Sequence, residues 1–264
     1  MRELSDLLAG RAVSLRLDEA ALMLATIEFP RLDPAPSLRI LDAHAEELDA
    51  RLRSGASFVT TANGYLFDEL GFSGAAAENY YDPANSCLNE VLRRKTGIPI
   101  TLSVVYLEIA RRLGQPVFGI GFPRHFLVQY DDGLSSTYID VFHGGRLLTA
   151  ADCYGMAGSA PDPSLLARAN LRQILARMVN NLRGIYISRQ AYKKALRTLD
   201  LWLEAFPDSA DDFKQRALIH FQLDQMRAAR VDFERYLELE PKAADREEIE
   251  KQLAALRRWL VGMN

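Results

Sequence analysis

The stretch from Asn85 to Gly145 constrains the fold of this 264-residue chain more than any other. Within it Leu102, Val105, Tyr106, Ile109, Ala110 and Leu113 recur at the offsets of one helical face, and Gly114 follows as a stop signal. The spacing predicts a buried helix of about three turns. Three short runs come next, VFGIGF, HFLVQY and TYIDVF, rich in β-branched and aromatic residues and separated by Pro123-Arg124 and Asp131-Asp132-Gly133. They predict an antiparallel meander packed on that helix. His125 opens the second run and Asp140 lies near the end of the third, so pairing of neighbouring strands can bring their side chains together.

A buried helix whose start faces a His and an Asp on adjacent strands is the layout of a papain-like or transglutaminase-like core. There a thiol at the helix N-terminus is favoured as thiolate by the macrodipole, His acts as base and Asp orients it. Here the helix start reads Gly97-Ile98-Pro99-Ile100-Thr101-Leu102-Ser103 and holds no cysteine. The pair therefore reads as the remnant of a triad that keeps its geometry without its nucleophile.

The run YLFDELGFSG, the phrase YYDPANSCLNEVLRRKTGIPITLSVVYLEIARRLG, the PRHFL and the DVFHGG resemble the SirB-type bacterial family, in which a transglutaminase-like domain precedes tetratricopeptide repeats. The resemblance covers nearly the whole chain. It implies that His125 and Asp140 occupy the transglutaminase His and Asp positions and that Thr101 or Ser103 falls near the missing cysteine. The family carries its transglutaminase-like description without an established reaction.

Upstream, Leu17–Ile27 and Leu38–Leu52 have helical spacing, with a Pro-rich turn over residues 29–36 between them, and Tyr65–Phe72 reads as a short helix ended by Gly71. Asn85 or Ser86 can cap a helix over Leu88–Leu92, which puts Cys87 in its first turn. A thiol there has a route to thiolate character, so Cys87 is the one sulfur able to replace the absent nucleophile; a small buried filler is the commoner fate. Cys153 has no comparable context, and two cysteines make neither a disulfide framework nor a metal finger. A metal or small-ligand site on His125, Asp140 and His143 lacks recognisable ligand spacing; no cofactor and no metal are expected.

Between Gly155 and Pro163 the chain is small, Gly/Pro-rich and without a periodic pattern, so a division is expected there, into residues 1–158 and 159–264. Beyond it an offset of 34 residues joins Tyr186 to His220, Ala195 to Ala229, Leu199 to Phe233, Trp202 to Tyr236 and Pro207 to Pro241. Thirty-four is the tetratricopeptide period, with small residues where paired helices touch and Pro closing the second helix. About two repeats fit, flanked by expected helices at Leu165–Ile174 and Asp245–Leu260. Stacks of this kind need about three units, so those flanks or the N-terminal domain must cap them.

Residues 166–264 hold 18 Lys and Arg against 14 Asp and Glu, net +4, which leaves net −7 for residues 1–165. Opposite signs favour docking of the two halves. Arg168, Arg172, Arg177, Arg183, Arg189, Lys193, Lys194 and Arg197 occur without an intervening acid, and are expected to face the acidic half or an acidic partner. No reading motif or aromatic platform accompanies them, so nucleic acid is not the expected partner. With no apolar run of signal or membrane-spanning length, the cytoplasm is the expected compartment and no membrane contact is expected. The reading is an α+β transglutaminase-like domain, helices with a small antiparallel sheet, followed by an all-α repeat region. Its expected role is non-catalytic binding of a polypeptide through the repeat groove or cleft. The alternative is a cryptic acyltransferase or peptidase using His125 and Asp140 with Cys87, Thr101 or Ser103. The sequence sets no oligomeric state.

Overall fold

The computed structural model describes residues 1–11, 14–158 and 160–262. The chain begins with α1 (Arg2–Leu8), α2 (Leu17–Ala25), α3 (Ala35–Leu52), α4 (Phe58–Asn63), β1 (Ser73–Gly74), α5 (Leu88–Arg94), β2 (Thr96–Gly97) and α6 (Pro99–Arg112). A sheet region follows, with β3 (Val117–Ile120), β4 (Leu127–Asp131), β5 (Ser136–Asp140), β6 (Arg146–Leu148), α7 (Ala150–Ala157) and β7 (Arg168–Ala169). Five helices complete it: α8 (Leu171–Ser188), α9 (Tyr192–Ala205), α10 (Ala210–Gln222), α11 (Met226–Leu239) and α12 (Arg246–Gly262). These form two compact units, one of residues 12–181 and one of residues 1–11 with 182–264, the division falling inside α8. The expected limit at 158/159 lies at Ser159, outside the described residues.

In the first unit α6 is the element on which the rest is assembled. It is buried on every side from Pro99 to Ala110, not on the single face that the spacing predicts, because α2, α3 and α5 cover one side and β3 and β4 the other. Pro99 suits the first helical position, where its missing N–H would have had no partner, and Gly114 leaves the helix at φ +64°. The sheet is antiparallel throughout, in the order β6-β5-β4-β3-β7. Its first four strands are the expected meander and its extension. The fifth, β7, is not expected from sequence: Leu165–Ile174 is not a helix but a single 3₁₀ turn (Pro163–Leu166), then β7, then the start of α8. Asp162 caps that turn and Pro163 pre-sets its first φ, which stops the helical reading.

Three further local expectations are corrected. The short helix at Tyr65–Phe72 is a continuation of α4, wound as a π-turn over Gly64–Glu69. Cys87 is not in the first turn of α5 but is its N-cap residue, at φ −108°, ψ 115°, because Asp82 and Pro83 close residues 83–86 into their own 3₁₀ turn. Part of the segment read as structureless is α7, where Thr149 and Asp152 cap each other reciprocally.

In the second unit α9, α10, α11 and α12 pack in succession, and α1 lies on α9 with Leu4 and Leu8 fully buried. The 34-residue offset maps α9 onto α11. Ala195 and Ala229 are both sealed, as are Leu199 and Phe233, and Pro207 and Pro241 follow the two helix ends. α12 caps the stack through Ile249, Leu253 and Leu256, which join Ala217, Phe233 and Tyr236 in one apolar cluster. Arg183 pairs with Asp212 inside this unit, and Arg168 pairs with Asp131 inside the other.

Candidate functional site

The site is built on two turns of the sheet. The first, Phe122-Pro123-Arg124-His125, closes with the His125 N–H on the Phe122 carbonyl at 3.2 Å, and Arg124 sits at φ 55°. Proline followed by a residue in the left-handed region is the pattern of a type II turn, which favours Gly or Asn where Arg124 stands. His125 is thereby presented just before β4, not as its first residue. The second turn runs from Asp140, the last residue of β5, through a 3₁₀ turn at Val141–His143 to Gly144 and Gly145. Gly145 has φ +75°, and a Cβ there would lie 2.5 Å from the Phe67 ring, so the reversal needs glycine.

Antiparallel pairing of Val128 with Ile139 brings the two turns together. His125 Nε2 lies 2.9 Å from Asp140 Oδ1, and His143 Nδ1 lies 2.8 Å from Oδ2. The amides of Phe142 and His143 also donate to Oδ1, at 3.2 and 3.3 Å. The Asp140 side chain is 3% exposed, His125 14% and His143 61%, so the carboxylate is the floor and His143 the rim. Burial alone would raise the Asp140 pKa; the hydrogen bonds from the two imidazoles outweigh it and hold the group below the usual carboxylate value. Among the described residues Nδ1 of His125 has no hydrogen-bond partner. The Phe142 ring stands edge-on to both imidazoles and to Tyr80.

The helix-start residues do something else. Thr101 Oγ1 donates to the Asn85 carbonyl at 2.6 Å and accepts the Ile98 N–H at 3.2 Å, closing the N-terminus of α6. Ser103 Oγ donates to the Pro99 carbonyl one turn back, at 2.8 Å. Both residues are buried, and neither hydroxyl is bonded to His125. Cys87 is fully buried at the cap of α5, a different helix. Cys153 on α7 sits among Ile120, Phe122, Leu127 and Leu148, and burial, with Asp152 and Asp140 adding to it, pushes its thiol up to about 11. Two residues named from the sequence take places here that their sequence pattern does not assign. His143 is legible only as an i, i+3 neighbour of Asp140, and Arg177 is hidden in the basic run although its guanidinium donates to the Phe122 and His125 carbonyls.

The profile of the transglutaminase-like superfamily matches residues 36–180, and that of the tetratricopeptide repeat matches residues 182–254. The UPF0162 protein of Xylella fastidiosa is 37% identical over 242 residues, 86% of this chain and 85% of its own length. The UPF0162 protein of Pseudomonas aeruginosa is 31% identical over 248 residues, 91% of this chain and 90% of its own. Human F-box only protein 21 is 35% identical over 172 residues, 61% of this chain and 27% of its own. No solved structure matches. With one profile spanning the helix, the sheet and the His125–Asp140 pair, and two bacterial UPF0162 relatives similar along 85% and 90% of their length, the chain belongs to the transglutaminase-like superfamily, among the SirB-type UPF0162 proteins that carry tetratricopeptide repeats behind that domain.

Proposed function

We propose that this protein is a pseudoenzyme that acts in the cytoplasm as a protein-interaction or regulatory module. The observation that carries this reading is the engagement of Thr101 and Ser103: both hydroxyls donate to main-chain carbonyls inside the fold, so the start of α6 offers no attacking group to His125. An alcohol is a far weaker nucleophile than a thiol unless a base and an oxyanion hole both serve it. The partner is a polypeptide, held through the repeat groove or the cleft beside His125. Exposed Leu218, Phe221 and Val231 on α10 and α11 support this, as does a cavity of about 580 Å³ where Leu237 and Leu253 lie among Glu234, Glu238, Arg246 and Glu250. No described helix is long and apolar enough to cross a membrane.

A second reading, a cryptic acyltransferase or peptidase acting on protein amides, is favoured by the retained His125–Asp140 hydrogen bond and the unpartnered Nδ1. It requires Cys87 or a helix-start hydroxyl to reach that nitrogen. The test is incorporation of a labelled primary amine, and amide hydrolysis, across a broad peptide panel, with wild type beside Cys87→Ala, Thr101→Val and His125→Ala. The expected result is no turnover above the His125→Ala background. Turnover lost in folded His125→Ala together with either of the other two variants would make this an enzyme and identify its nucleophile.

A further inference from the structure

A remnant triad accounts for one imidazole on Asp140 and leaves the second without a role. The chain has four histidines, and two of them meet on this carboxylate. The ligating atoms of His125, Asp140 and His143 all lie within 4.8 Å of one another. We propose that these three residues form a binding site for one divalent transition-metal ion, Zn²⁺ by the chemistry of the donors. This goes beyond the interaction reading and does not depend on it.

Two imidazole nitrogens and a carboxylate are a set that zinc takes at sites keeping a coordination position open, whereas Mg²⁺ and Ca²⁺ prefer oxygen throughout. Tetrahedral zinc at about 2.0–2.2 Å from its ligands sets those atoms about 3.3 Å apart. Each nitrogen already faces the carboxylate at close range, His125 Nε2 at 2.9 Å from Oδ1 and His143 Nδ1 at 2.8 Å from Oδ2, so whichever oxygen ligates, one imidazole is in place and the other must turn toward it. The two nitrogens are at most 4.8 Å apart, wider than the tetrahedral spacing, so binding draws the rings together, and the exposed His143 ring is the one with room to turn.

The hydrogens can be rearranged to allow it. Binding requires lone pairs on His125 Nε2 and His143 Nδ1, with the hydrogens on the outer nitrogens. In the metal-free site the two inner nitrogens donate to Asp140, and these are the bonds an ion replaces; neither outer nitrogen has a partner among the described residues, so both are free to take the hydrogen. The carboxylate is fixed independently, by the amides of Phe142 and His143, in the manner of outer-shell groups that orient metal ligands. Exposed His143 leaves an entry path, and the open position would take water or a donor atom from a bound polypeptide.

The test is titration of the metal-stripped full chain with ZnCl₂ by calorimetry, with Co²⁺ as a visible-absorption probe and the melting temperature as a second readout. One ion per chain is expected, with a Zn²⁺-dependent rise in melting temperature. His143→Gln, at an exposed position that tolerates change, should weaken Zn²⁺ about tenfold or more and abolish the rise, and Asp140→Asn should do the same. His220→Gln, on α10, should change neither. No binding by wild type, or binding and a melting rise unaltered in both His143→Gln and Asp140→Asn, would overturn the proposal. Absence of turnover in the amine and amide assays does not bear on it.

Discussion

Arg177 donates from Nη2 to the main-chain carbonyl of His125 at 2.6 Å and from Nη1 to that of Phe122 at 2.8 Å, so one guanidinium grips both ends of the turn that presents the imidazole. Arg177→Ala leaves both carbonyls without that donor and should lower stability by about 2–3 kcal/mol. Arg177→Lys should recover less than half of this, since a single ammonium cannot span two acceptors as a planar fork does. Urea unfolding measures the loss, and broadening of the His125 ring resonances reports the freed turn. Equal stability of wild type and Arg177→Ala would remove the clamp from the account.

Thr101 and Ser103 should separate when their hydroxyls are removed. Thr101→Val strips a buried cap from α6, leaving the Asn85 carbonyl without its hydroxyl donor, and should cost about 1–3 kcal/mol. Ser103→Ala removes only a bond back to the preceding turn, about 0–1 kcal/mol. Chemical denaturation of the two variants side by side decides it; a costlier Ser103→Ala would mean that the cap is not what Thr101 supplies.

Gly74 lies against the turn that carries His143. A Cβ there would fall 2.6 Å from the Phe142 carbonyl oxygen and 2.7 Å from its ring. Gly74→Ala should therefore push residues 141–143 away from β1 and cost about 1–3 kcal/mol. A fall in melting temperature accompanied by shifted His143 amide signals is the expected pair of observations, and an unchanged His143 would place the strain elsewhere.

Asp18 provides a pH test on a residue that makes no hydrogen bond or ion pair with His125, Asp140 or His143. Its side chain is sealed, and Arg112 Nη2 donates to it at 2.6 Å. Burial alone would raise its pKa, but the Arg112 hydrogen bond and charge, with help from Arg16, hold it below the ordinary value. A carboxylate depressed in the folded state contributes stability that is fully present above its unfolded pKa, about 3.9, and is lost as pH falls through the folded value. Asp18→Asn should thus be less stable than wild type by about 1–3 kcal/mol at neutral pH, with the gap closing below about pH 4. A gap independent of pH would assign the loss to packing.

The central helix and meander are legible in the sequence because period and punctuation agree from Leu102 to Asp140, and hairpin pairing brings the ends that carry His125 and Asp140 together, while the turn that aims the His125 ring is set by Arg124 and Arg177. His143 is named beside that pair from the sequence but set aside for want of ligand spacing, because it reaches Asp140 only through a turn whose course depends on Gly144 and Gly145. The fate of residues 165–181 is not legible. β7 is two residues long and carries no period, yet its pairing with Gly119 and Ile120 keeps the chain on the sheet beyond the Gly/Pro-rich segment. That is why the compact units divide after Asn181 and not where the punctuation is densest. α1 joins the C-terminal helices because Leu4 and Leu8 fit α9, a pairing across the whole chain length that no local pattern encodes.

The burial of both sulfurs has a practical corollary. Cys87 and Cys153 are the chain's two thiols; each is fully shielded, both belong to the unit of residues 12–181, and the helical unit has none. A soluble alkylating reagent can reach them only in molecules where that unit has opened, so labelling kinetics in native buffer measure its opening free energy with no engineered probe. Because the repeats are silent in such an experiment, loss of the repeats and loss of the transglutaminase-like unit can be timed separately in a single sample, thiol chemistry following one and helical circular dichroism following both.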